Sequence, residues 1–140
     1  MIHASNRRAI LQTLAAAFAL AAEGQSVEIP GQVIQRGQAR KQSESFGDLR
    51  FFVEGSTGQL KGLTVGSLEL KSGQSPHPPH THPEEELMII TEGSGEITLE
   101  GKVTKVSPGS VMYAGSNRLH GIVNTSSASL TFFWVKWLAK

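Results

Sequence analysis

The sequence predicts an all-β domain, a sandwich or barrel of short strands. Past residue 26 the chain is a succession of short runs rich in β-branched and aromatic side chains, most of them closed by Gly or Asn. No segment there sustains a helical period over three turns. The 140 residues suffice for one compact domain and little more, and many short strands in so small a chain make a sandwich or barrel.

The elements follow in order. Residues 1–21 stand apart: Arg7 and Arg8 precede an apolar run from Ala9 to Ala22, broken only by Gln12 and Thr13. The run is too short for a bilayer span, which needs about 20 residues. A positive start, an apolar middle and small residues at Ala19-Leu20-Ala21 match a cleavable export signal. The paired arginines followed by Ile10 and Leu11 resemble a twin-arginine signal, which exports folded proteins. This predicts a periplasmic or secreted protein with no membrane span after cleavage; the alternative is an N-terminal amphipathic helix on a cytoplasmic protein. Residues 22–48 are polar and weakly patterned, with short edge strands expected near Ile29 and Ile34.

From residue 49 to 140 the strand signals are stronger. "LRFFVEG", "LKGLTVGSLELKSG", "ELMIITEG", "GEITLEG", "KVTKVSPG", "SVMYAG", "HGIVN" and "SLTFFWVKWL" follow one another. "ITLEGKVTKV" reads as a hairpin with its tight turn at Glu100-Gly101. In the last run Phe132, Trp134 and Lys136 share one face, and Phe133, Val135 and Trp137 the other; core packing is the expected role of most of them.

Composition excludes several functions. Net charge is +1 with no long block of like charge, which gives no nucleic-acid footprint. There is no cysteine, so disulfides and thiolate metal sites are ruled out.

The chemistry concentrates in "SPHPPHTHPEEELMIITEG", residues 75 to 93, which holds three of the five histidines. Pro76, Pro78, Pro79 and Pro83 exclude a helix. In extended chain His80 and His82 point to one face, about 6.6 Å apart. Glu86 shares their parity but would lie about 20 Å from His80 if the chain stayed straight. A turn at Pro83-Glu84-Glu85 lets the carboxylate rejoin the pair. His77 is off this parity and is read as a rim residue. Glu84 and Glu85 are expected in solvent.

These residues resemble the cupin family. Gly73, His80, His82, Glu86 and Gly93 fit its first motif, with one extra residue after Gly73. Gly109, His120 and Asn124 fit its second, where Gly115 stands for a proline and Asn117 for a glycine. Asn tolerates the left-handed turn that a glycine serves there. The resemblance covers about residues 48 to 138. It implies a double-stranded β-helix, or jelly-roll, barrel, and a divalent metal held by His80, His82, Glu86 and His120.

Three neutral imidazoles and one carboxylate give a divalent ion about one net positive charge and leave two positions of an octahedron open. With no sulfur donor the expected ion is Mn²⁺, Fe²⁺, Ni²⁺ or Zn²⁺. The expected partner is a small oxygen-rich anion. Met88, Tyr113 and Arg118 are candidate pocket residues, and Tyr113, Glu69 and Arg118 candidate acid–base groups. Isomerases, sugar-acid converting enzymes and dioxygenases are the enzyme classes that the resemblance implies. A non-catalytic ligand binder and a barrel merely stapled by metal stand beside them. Small cupins often dimerise through edge strands, so a homodimer using residues 26–48 is also expected.

Overall fold

The computed structural model describes residues 27–140. The expected export signal, with Arg7, Arg8 and His3, lies outside the described residues. Among them no helix is long and apolar enough to cross a membrane.

Two antiparallel sheets face each other. The larger contains β1 (Arg40–Glu44), β2 (Gly47–Gly55), β3 (Leu60–Leu70), β9 (Leu130–Ala139), β4 (Glu85–Glu92) and β7 (Val111–Ala114), in that spatial order. The smaller contains β6 (Lys102–Val106), β5 (Gly95–Leu99) and β8 (His120–Val123). Each run read as a strand between residues 49 and 140 forms one. The β5–β6 turn places Glu100 at φ 49° and Gly101 at φ 83°, the paired left-handed residues of a type I′ hairpin.

The described part of the polar segment, residues 27–48, differs from expectation. Near Ile29 there is a single parallel bridge, Glu28 to Ser56. No strand forms at Ile34, which instead lines a groove on the outer face with Arg36, Phe52, Val65 and Phe133. The strand of this segment is β1, exposed throughout, recruited by hairpin pairing with β2 rather than by any apolar pattern of its own.

Period-2 alternation builds the core. Leu68 and Leu70 of β3, Met88 and Ile90 of β4, Ile97 of β5, Met112 and Ala114 of β7, Ile122 of β8, and Leu130 and Phe132 of β9 are buried between the sheets. Across the large sheet these residues fall in rungs. One rung runs Leu49, Leu68, Phe132, Ile90 and the next Phe51, Gly66, Trp134, Met88, Met112. A third, nearer the open end, runs Glu54, Thr64, Lys136, Glu86, Ala114. A register shift between Phe51 and Val53 sets Glu54 on the cavity side. Apolar floor, aromatic middle and polar rim thus come from one strand period.

Candidate metal centre

The proline-rich segment contains no helix, and a bend precedes β4. His80 is tied to the small sheet by reciprocal backbone bonds with His120, His80 N–H to His120 O at 2.9 Å and His120 N–H to His80 O at 3.0 Å. The chain turns at Pro83-Glu84, and Glu86 then enters from the facing sheet. His80, His82 and His120 each offer a ring nitrogen, all within 4.8 Å of one another, a grouping compatible with one shared metal ion. The Glu86 carboxylate lies against two of these rings, its Oε2 2.8 Å from His82 Nε2 and 3.2 Å from His120 Nε2. Glu86 and His120 are only 6% and 1% exposed, so water does little to screen their contact.

Hydrogen bonds on the far side of the rings fix their tautomers. His120 Nδ1 lies 2.8 Å from the Arg118 carbonyl and His82 Nδ1 3.1 Å from the Glu84 carbonyl. A carbonyl oxygen only accepts, so each Nδ1 carries the proton and donates it. In a neutral ring Nε2 then presents a lone pair, and here both lone pairs face a carboxylate oxygen that also only accepts. Only something positive between them, a proton or a cation, resolves the contact. A divalent ion fits: three imidazoles and a carboxylate suit a borderline cation, and an outer carbonyl on Nδ1 is the usual support of a ligating histidine.

The electrostatics separate the rings. Burial, with the neighbouring charges of His77, His120 and His82, lowers the His80 pKa to about 4, so this ring is neutral near pH 7. For His120 the bond to Glu86 outweighs burial and raises the pKa. Burial opposes ionisation of Glu86, but the hydrogen bonds and charges of His120 and His82 win and lower its pKa.

The cluster opens into a cavity of about 370 Å³, at the small end of the roughly 300–1,000 Å³ usual for ligand sites. Met88 lines it, as do Phe51, Trp134, Thr64 and Lys136. On that face of the last strand Phe132 belongs to the core and Trp134 packs against it, as expected of most of these residues, while Trp134 and Lys136 also face the cavity. Other positions differ from expectation. Tyr113 stands 53% exposed on the outer face of β7, where its hydroxyl donates to Glu85. Arg118 points outward and pairs with Glu100 at 3.2 Å, contributing only its carbonyl to the centre. Glu69 pairs with Arg36 at 3.6 Å. None of these three lines the cavity. Glu84 and Glu85 are half-buried rather than solvated: Glu84 lies 3.3 Å from His82 Nδ1, and Glu85 accepts from Trp137 Nε1 at 2.8 Å. His77, expected at the rim, stacks on His80 with ring centroids 3.8 Å apart and lines the cavity wall.

The glycines of both motifs serve the backbone: Gly73, Gly93 and Gly109 have φ of 71°, 74° and 92°. Asn117, in place of a motif glycine, takes φ 57°. Asn124 is fully buried; its amide donates to the Leu70 and Ala128 carbonyls at 3.0 and 2.7 Å, and its Oδ1 accepts from the Ser126 N–H at 3.0 Å. It ties β3 to the loop before β9 and has no part in ligation.

Comparison with known proteins agrees with this geometry. The fold is shared with an RmlC-like cupin from Shewanella frigidimarina, TM-score 0.65 at 13% identity, covering 79% of this chain and 94% of that one. It is shared with KdgF from a Halomonas species, TM-score 0.63 at 21% identity, covering 76% and 94%. A predicted oxalate decarboxylase from Thermotoga maritima gives TM-score 0.63 at 22% identity, covering 76% and 99%. At such identities the likeness speaks for the fold alone. No curated protein matches the sequence. The family model for the cupin domain matches residues 66–136, a span holding both histidine motifs, and the chain belongs to the cupin family as a small single-domain member.

Proposed function

We propose that His80, His82, Glu86 and His120 hold one divalent ion and that the cavity above it admits a small oxygen-donor ligand. The observation that carries this reading is the confrontation of two tautomer-fixed Nε2 lone pairs with Glu86 Oε2. Mn²⁺, Fe²⁺, Ni²⁺ and Zn²⁺ all suit the donors, and a bound ion supplies Lewis acidity at its open positions. Elemental analysis of purified protein should find about one ion per chain, and His82→Ala should lose most of it. Wild-type protein with no metal after loading and desalting would end the proposal.

The acid–base candidates Tyr113, Glu69 and Arg118 all lie outside the cavity, so proton transfer there would fall to groups that line it, His77 and Lys136. Turnover lost in His82→Ala would favour an enzyme, and tight ligand binding without product a binder. A metal that only staples the barrel predicts a lowered melting temperature on stripping and no ligand affinity to lose.

The domain plan proposed is an export signal over 1–21, a polar segment over 22–48 and the cupin barrel from 49, giving a periplasmic or secreted protein. Mass spectrometry of exported protein should find it begins near residue 22; an intact Met1 would refute this. A homodimer through the 26–48 edge is supported by β1, whose outer side pairs with no strand among the described residues. A monomeric mass by light scattering would refute it.

A further inference from the structure

The cavity wall beside the histidines carries a cation that, among the described residues, has no counterion. Lys136 stands on β9 between Thr64 of β3 and Glu86 of β4, on the cavity face. Among the described residues no carboxylate forms an ion pair with it. The two carboxylates of its rung are engaged elsewhere, Glu54 by Arg40 and Glu86 by His82 and His120. A lysine on an open surface needs no partner, but Lys136 is half-buried. Its place on the cavity wall leaves its ammonium to pair with an anion that enters there.

The next rung supplies a flat apolar wall. Trp134 lies over Gly66 so closely that a Cβ there would sit 2.2 Å from its Cζ2. Phe51 meets the indole edge-on, with centroids 5.7 Å apart. Met88 closes the same rung. The surface is thus aromatic and smooth directly beside the cation, and glycine at position 66 is what makes room for the indole.

We propose that the cavity takes a small carboxylate with a flat apolar body, Lys136 reading the carboxylate while Trp134 and Phe51 pack the body. This rests on the metal-centre reading, since the remaining oxygen of such a ligand faces His80, His82 and Glu86. It goes beyond that reading by naming the ligand class and a specificity residue that is not a metal donor.

The test compares benzoylformate with its uncharged methyl ester by isothermal titration calorimetry, on zinc-loaded and on chelator-stripped protein. Wild type should bind the acid roughly tenfold or more tightly than the ester, the worth of one charge-assisted contact. Lys136→Gln should abolish that preference while keeping about one zinc per chain, as expected of a residue that donates nothing to the ion. Lys136→Arg should retain the preference, which separates charge from folding. Trp134→Leu should weaken acid and ester alike. A wild type that binds neither, or does not distinguish them, overturns the proposal, as does an unchanged preference in Lys136→Gln. Protein that takes up no zinc yet still prefers the acid through Lys136 would sink the metal centre and leave the lysine's reading of the carboxylate standing.

Discussion

His80 and His120 titrate in opposite senses, and His80 gives the clearest prediction. Its pKa is 6.5 when unperturbed and about 4 in the fold. The unfolded chain therefore takes the proton first, so the stability due to neutral His80 is full above about pH 6.5 and is lost as pH falls to about 4. Glu86, lowered below 4.5, acts in the same direction at still lower pH. His120, raised above 6.5, acts oppositely: its contribution is full below that value and disappears as pH rises through the folded one. In stripped protein, His80→Asn should flatten the fall in melting temperature between about pH 6.5 and pH 4; an unchanged slope would refute the assignment. The gathering of His80, His82 and His120 against Glu86 was legible in the sequence, because H-x-H, Glu86 and His120 sit at fixed spacings and a bend after Pro83 is needed for Glu86 to rejoin the pair. The sequence does not place Tyr113, because nothing in "SVMYAG" says which parity faces inward. Its register does, since Glu86 pairs with Ala114 and Met88 with Met112, leaving Tyr113 and Val111 outside.

Among the elements, two glycines test what their conformation is for. Gly101 closes the β5–β6 hairpin at φ 83° with open space around it, so Gly101→Ala carries only the left-handed strain, about 1 kcal/mol. Gly93 combines φ 74° with a backbone carbonyl: a Cβ there would sit 2.3 Å from Ser129 O. Gly93→Ala should therefore cost about 3 kcal/mol or more, because backbone must move. Chemical denaturation of the two variants checks the difference, and equal midpoints would contradict it. The hairpin was readable from Glu100-Gly101 alone. The Phe51/Val53 irregularity was not, since a bulge changes parity without changing residue type, and it is what sets Glu54 on the cavity side. β1 leaves no sequence signal for a related reason: "RKQSE" has no buried face to make a pattern.

For the molecule as a whole, the centre joins two sheets that otherwise meet through apolar packing. Glu86 belongs to the large sheet and His120 to the small one, so an ion between them adds a bond across the core. Chelation should lower the melting temperature of loaded protein, and refilling should restore it; an ion at 100 times its dissociation constant is worth about 2.7 kcal/mol. No change on chelation would place the ion outside the core. Fold class was legible at this scale because strand after strand follows the same period, whereas sheet order was not, since β9 lies between β3 and β4. The carbonyls that hold the Nδ1 protons of His82 and His120 carry one further consequence. With those protons pinned outward, whatever proton bridges His120 and Glu86 has no second nitrogen to retreat to when a cation arrives. It must leave for solvent, so filling the centre should acidify a weakly buffered solution and give a heat that tracks the ionisation enthalpy of the buffer.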